Sequence, residues 1–266
     1  MENKYIDTHS HPHFPQYDED QEAMLGRMRE QEVVTIAVGT DIATSKQAVK
    51  FATEHKDVVL GATIGVHPND EPSERFDASV YGELLSDVVV GVGECGFDYY
   101  RSSKDAEYTR QREVFEAQIA FAVDNNLPLM LHIRPSQGTV DAHDDALEVL
   151  RLYQKTHGDT VRGNVHFFTS NTDVARAYLE LGFTIAFPGV ITFAPELHEV
   201  VRDVPLDMML SETDAPYAAP VPHRGKRNEP VFVVDVIRAI ADIRGEGFEK
   251  VAAQLRANAE RVFLAR

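Results

Sequence analysis

Eight short runs rich in β-branched and other apolar residues recur along the chain, at 4–7, 33–39, 58–66, 88–93, 127–132, 164–168, 183–187 and 208–213. Most are continuously apolar rather than alternating, as strands buried on both faces are. Segments with helical spacing fill the gaps. The stretch 18–30 sets Met24, Leu25 and Met28 on one side. The stretch 105–126 does the same with Val114, Phe115, Ile119 and Val123, and 142–157 with Leu147, Leu150 and Leu152. Further helices are expected over 173–181, 196–202, 231–243 and 249–263. Strands alternating with helices along a whole chain imply a parallel sheet with right-handed crossovers. About eight such units favour an α/β fold closed into a (β/α)8 TIM barrel, which takes roughly 250 residues. The chain has 266. One barrel domain over 1–266 is expected.

Composition narrows the classes. Hydrophobic residues make up 43% of the chain, enough for a large core. No run of about 18 apolar residues occurs, so no transmembrane helix and no membrane partner is expected. The opening MENKYIDTHSHPHF lacks the apolar centre of a secretory signal. The single cysteine, Cys95, cannot form an intramolecular disulfide, which fits a cytoplasmic protein. A net charge of −17 argues against a broad grip on a nucleic-acid backbone, which relies on many Lys and Arg contacts. It leaves room for a nuclease whose metals and a few local cations hold one phosphate. Oligomeric state is open, with a monomer as the default.

The polar residues that interrupt these runs share a position. His9 and His11 follow the first run, His67 the third and Glu94 the fourth. His132 ends the fifth, His166 lies near the end of the sixth, and Asp214 follows the eighth. In a barrel the carboxyl ends of the strands form one face, where active sites are built, so these distant residues would converge. Imidazoles and carboxylates together suit zinc, iron or manganese. Residues two apart in a strand point to the same side, so His9 and His11 can present both rings to one ion. Four His and two carboxylates exceed the three protein ligands of an open catalytic zinc. They fit two ions sharing a bridging carboxylate.

Taken singly, each residue has a plainer reading. His132 and His166 could be core histidines, and Asp214 could shape the turn before Pro216. Glu94 resists such a reading, because a carboxylate beside VVVGVG is costly to bury without a partner. Joint placement decides, since unrelated core histidines would scatter along the strands. The GxGxxG match at Gly91–Gly96 is set aside. A dinucleotide site needs a helix beginning there, and FDYYRSS reads as loop.

The motifs DTHSHPHF, GVHP, GVGECGFDYY, LPLMLHIR, VHFF, LSETDAPYAAPVPHRGKRNEP and NAERVF follow one another from residue 7 to residue 263. In this order the chain resembles the TatD-like metal-dependent deoxyribonucleases over nearly its whole length. ETDAPY followed by RGKRNEP is the most specific part. The resemblance implies a barrel hydrolase acting on DNA phosphodiester bonds, with two divalent cations as cofactors; Mg2+, Mn2+ and Zn2+ are all candidates. It implies that His9, His11 and Asp214 hold one cation, His132 and His166 the other, and Glu94 both. DNA, single-stranded or 3′-ended, is the implied substrate. The chain departs from the family pattern at Ser10, Pro12 and His13, at Phe167 and Ser170, and in a longer segment after His132.

A water activated by the two metals would attack phosphorus in line, with Asp214 orienting it or taking its proton and Glu94 holding both ions. His67, Arg134, Arg224, Lys226 and Arg227 are further candidates for substrate contact, and Tyr99 and Tyr100 for stacking on a base. Asp7 and Glu212 are placed behind the ligands as supports, Asp7 orienting His9 or His11. His55, His143, His157 and His198 read as surface residues on helices, while His13 and His223 stay unassigned. Two alternatives remain. One is an amidohydrolase-type barrel acting on an amide, lactone or phosphoester; many of these bridge their metals with a modified lysine at strand four, where this chain has Glu94. The other is a non-catalytic, metal-stabilised binding protein.

Overall fold

A computed structural model describes residues 4–69 and 75–265. Eight parallel strands follow one another around a nearly closed barrel in chain order: β1 Tyr5–Ser10, β2 Val33–Val38, β3 Val59–Ile64, β4 Val89–Asp98, β5 Leu129–Arg134, β6 Gly163–Val165, β7 Thr184–Phe187 and β8 Met209–Ser211. Helices pack outside: α1 Gln21–Glu30, α2 Ile42–Glu54, α3 Ala78–Gly82, α4 Lys104–Asp124, α5 Asp141–His157, α6 Thr172–Glu180, α7 His198–Asp203, α8 Val233–Arg244 and α9 Phe248–Ala259. Among the described residues no helix is long and apolar enough to cross a membrane.

Helices α2 and α3 lie outside the set expected from periodicity. Several inward positions of α2 are small, Ser45, Ala48 and Ala52, so its apolar stripe is faint. Its start is set by a capping box: Asp41 accepts from the Thr44 amide at 2.6 Å, and the Thr44 hydroxyl lies 3.0 Å from the Asp41 amide. In α5, Leu152 points to solvent at 49% exposure, so it is not part of the stripe.

Two apolar layers form. The larger lies between the strands and the helices. The smaller fills the barrel, with Ile6, Val34, Ile36, Val38, Val90, Met130, Ala186 and Leu210 from six strands. Ala259 and Phe263, from the end of α9 and the π-helical turn Glu260–Leu264, join that inner layer.

The seam between β8 and β1 is closed differently from the other neighbours. A bridge pairs Ser10 with Ala215. The Asp214 amide donates to the His9 carbonyl at 2.9 Å, and the His11 amide to the Ala215 carbonyl at 2.7 Å. These bonds carry the stretch after β8 directly beside the HxH pair.

Candidate metal centre

The pairing of β1 with β2 slips between Asp7 and Ser10. Asp7 pairs with Thr35 and Ser10 with Ala37, so three residues of β1 span two of β2. Ile6 faces the barrel interior, and unbroken alternation would send His9 to the helix side. The slip reverses the parity, and His9 turns inward together with His11. A second slip, between Val92 and Cys95 against Leu129 and Leu131, brackets Gly93 and Glu94. Gly93 has φ of +150°, and a Cβ there would sit 2.4 Å from the Met130 carbonyl oxygen. Glycine is what that close approach requires.

Of the expected loop FDYYRSS, Phe97 and Asp98 belong to the strand, while 99–103 is loop as expected. β4 runs on through Asp98, buried throughout, so Glu94 lies within the strand and not after it. No helix starts at this point, which removes the dinucleotide reading. His166 conversely lies just past β6, its amide donating to the Leu131 carbonyl at 3.0 Å.

Glu94 stands at the centre of the site. Its Oε1 is 2.9 Å from His9 Nε2 and 3.3 Å from His11 Nε2. Its Oε2 is 3.1 Å from His132 Nδ1, 3.3 Å from His166 Nε2 and 3.7 Å from His67 Nε2. Asp214 Oδ1 lies 3.6 Å from His9 Nε2 and 3.5 Å from His11 Nε2. His9, His11 and Asp214 each offer a ligand atom within 4.8 Å of the others, as do Glu94, His132 and His166. His132 Nδ1 and His166 Nε2 face each other at 3.2 Å. Two ring nitrogens converge this closely only around a proton or a cation, so the donor set fits a metal ion.

The electrostatics follow from burial and neighbours. Burial pushes the Glu94 carboxyl up, but His166 and His9, with hydrogen bonds from His11 and His132, hold it well below the usual carboxylate range. Burial pulls His11 down, and Asp214 and Glu94 reverse this, raising it to about 10. The same contest raises His166 through Glu94 and Glu212. His9 goes the other way, lowered by burial and by its neighbour His166.

Other groups orient the rings. His11 Nδ1–H donates to the Val38 carbonyl at 2.8 Å. His132 Nε2–H donates to Asp98 Oδ2 at 3.2 Å. Burial raises the Asp98 carboxyl, yet His132 and the Tyr100 amide bring it down to about 2. Sequence reasoning passed over Asp98, although it stands four residues beyond Glu94 in the same motif. Glu212 sits behind His166, 3.4 Å from its Nδ1. Asp7 does not touch an imidazole. Its carboxylate accepts from the Thr213 amide at 2.8 Å, the Thr213 hydroxyl at 2.7 Å and the His9 amide at 3.3 Å.

Above these residues opens a cavity of about 420 Å³. His67, Arg101 and Arg134 line it, with Phe14, Phe167 and Tyr217 as its aromatic walls. Arg101, Phe14 and Tyr217 were not singled out from sequence, and Phe167 only as a departure from the family pattern. The Arg134 guanidinium lies 3.9 Å over the ring of Tyr100, which is exposed. Tyr99 is buried, its hydroxyl donating to Asp145 at 2.9 Å, so it is closed to a base. Arg224, Lys226 and Arg227 do not line the cavity. Arg227 is held by Asp20 and Glu229, and Arg224 stacks on Phe193. His143 is not a surface residue; it is buried at 3% exposure beside Tyr178. His55 and His198 are half-buried, His157 is exposed, His13 packs among His11, Phe14 and Phe51, and His223 lies on Phe232.

The family model for TatD related DNase matches residues 6–264. An uncharacterized metal-dependent hydrolase of Bacillus subtilis (strain 168) is 37% identical, covering 97% of this chain and 98% of its own. A 3′-5′ ssDNA/RNA exonuclease TatD of Pantoea ananatis is 31% identical over 93% of this chain and 95% of its own. The crystal structure of a TatD homologue from Escherichia coli k12 superposes with a TM-score of 0.87 at 27% identity, covering both chains completely.

Proposed function

The chain belongs to the TatD-related DNase family and is a metal-dependent hydrolase, and from that premise we propose that it cleaves phosphodiester bonds of DNA, single-stranded or 3′-ended, with two divalent cations. One observation carries the two-ion reading: the two oxygens of Glu94 divide the histidines into two sets, His9 and His11 at Oε1 and His132 and His166 at Oε2. Asp214 completes the first set. A carboxylate that faces two separate ligand groups is suited to bridging.

Divalent cations held there supply Lewis-acid charge, acidifying water and neutralising phosphate oxygens. The protein's own residues do the rest. Asp214 projects into the cavity beside His9 and His11 and takes the proton of the attacking water. Arg134 grips a non-bridging phosphate oxygen from the wall, steadied by the Tyr100 ring beneath it. Phe14, Phe167 and Tyr217 offer faces to unstacked bases, which a duplex would not present. The nucleic-acid substrate is supported by the Pantoea ananatis relative, a 3′-5′ ssDNA/RNA exonuclease.

The test is purified protein with Mg2+ or Mn2+ on single-stranded and duplex DNA carrying labelled 3′ ends. Cleavage that a chelator abolishes, faster on single strands, supports the reading. No cleavage of DNA, with turnover of a lactone or amide, would remove it.

A further inference from the structure

The imidazoles of His9 and His166 lie face to face, ring centroids 3.8 Å apart and planes 9° from parallel. Both turn Nε2 to Glu94, His9 to one oxygen and His166 to the other. Their Nδ1 atoms are therefore the far ends of the rings, away from the proposed cations. Glu212, wholly buried, stands at that end. Three buried polar atoms there have no hydrogen-bond partner among the described residues: His9 Nδ1, His166 Nδ1 and Glu212 Oε2. His166 Nδ1 is 3.4 Å from Glu212 Oε1, and a ligand atom from each of His9, His166 and Glu212 falls within 4.8 Å of the others. The Phe167 amide donates to Glu212 Oε1 at 2.5 Å and fixes the carboxylate in place.

A third cation does not fit this cluster. An imidazole that gives its Nε2 lone pair to an ion carries its hydrogen on Nδ1, and has no second lone pair to offer. Two Nδ1–H groups need an acceptor instead, and a carboxylate has about four acceptor positions. Leaving such buried groups unpaired is costly, because each has given up its hydrogen bonds to water.

We infer that Glu212 is a shared positioning residue, accepting hydrogen bonds from the Nδ1–H groups of both His9 and His166 and so aiming one ligand from each cation position. The inference rests on the two-ion reading above. Val38 supports His11 and Asp98 supports His132, one ligand apiece. Glu212 instead joins the two halves of the centre. Filling one position orders the carboxylate for the other, so the two binding events are coupled, and the coupling is reciprocal.

The experiment is calorimetric titration of the metal-free protein with Zn2+. Wild type takes up two ions. Glu212→Ala removes both carboxylate oxygens, and with them the acceptor for each imidazole N–H. It should weaken both positions together by roughly 10–100-fold, the range for such supporting partners. Asp98→Asn should weaken one position and spare the other. A Glu212→Ala protein that loses affinity at one position only, or at neither, overturns the inference while leaving the two-ion reading intact. A wild-type chain that binds a single Zn2+ overturns both.

Circular dichroism checks that the variant folds. If it does not, histidine-selective 15N spectra of Zn2+-loaded wild type decide the matter. Both His9 and His166 should carry hydrogen on Nδ1, shifted far downfield. A bare Nδ1 on either ring overturns the inference.

Discussion

Asp7 and Thr213 are joined by two hydrogen bonds, from the Thr213 amide at 2.8 Å and the Thr213 hydroxyl at 2.7 Å, across the seam of the barrel. No continuous ladder runs between β8 and β1, so this pair does part of a ladder's work, and it does so two residues before His9 and one before Asp214. Asp7→Ala would leave two buried amides, of Thr213 and His9, and one hydroxyl without their acceptor. The expected cost is about 3 kcal/mol, read as a lower urea midpoint with an unchanged slope. A variant of wild-type stability would show that the seam does not depend on this pair.

Glu94→Gln removes the charge at the centre of the site but keeps its shape. One amide oxygen can serve one set of histidines, and the amide nitrogen repels the other set. Turnover of a labelled single-stranded oligonucleotide with Mn2+ should fall by about 10³-fold. The circular dichroism spectrum should stay unchanged. Retained turnover in this variant would contradict a bridging role.

Arg134 is assigned to substrate rather than to water activation. Arg134→Ala should raise KM by roughly 10-fold while lowering kcat less, the signature of a contact made in both ground and transition states. Tyr100→Ala should give a smaller change in the same direction, because it removes only the surface on which the guanidinium rests. A loss confined to kcat would place Arg134 in the chemical step instead.

His143 gives the fold an acid-sensitive point away from the site. Burial holds its imidazole down at about 4, against 6.5 for an ordinary histidine. Above pH 6.5 the ring is neutral in both folded and unfolded chains, and its contribution is complete. Between pH 6.5 and 4 the unfolded chain takes up a proton that the folded chain refuses, so stability falls as pH falls. The difference between those two values corresponds to about 3 kcal/mol. The variant His143→Leu should flatten this part of a plot of unfolding free energy against pH. An equal slope in variant and wild type would assign the acid loss to other groups.

The strand–helix alternation and the placement of polar residues at strand ends were legible because both are local. Continuous apolar runs signal strands covered on both sides, and a barrel's parallel topology puts their carboxyl ends on one face. His9, His11, Glu94, His132, His166 and Asp214 could therefore be gathered before any coordinates. Reach across the fold was not legible. Arg227 sits in a basic run near Asp214 in sequence, yet Asp20 and Glu229 draw it away from the cavity. His143 looked like a surface histidine because α5 is polar around it, whereas its own face is pressed against Tyr178 and Phe168.

The chain order alone determined the barrel and the identity of the polar residues at its mouth, since periodicity and residue type are properties of neighbours in sequence. Their aim was decided in three dimensions. The slip between Asp7 and Ser10 exists only as a mismatch between two strands, and it is what turns His9 inward. The support of Glu212 behind His166, and of Asp98 behind His132, depends on contacts between elements far apart in sequence, which no local pattern encodes.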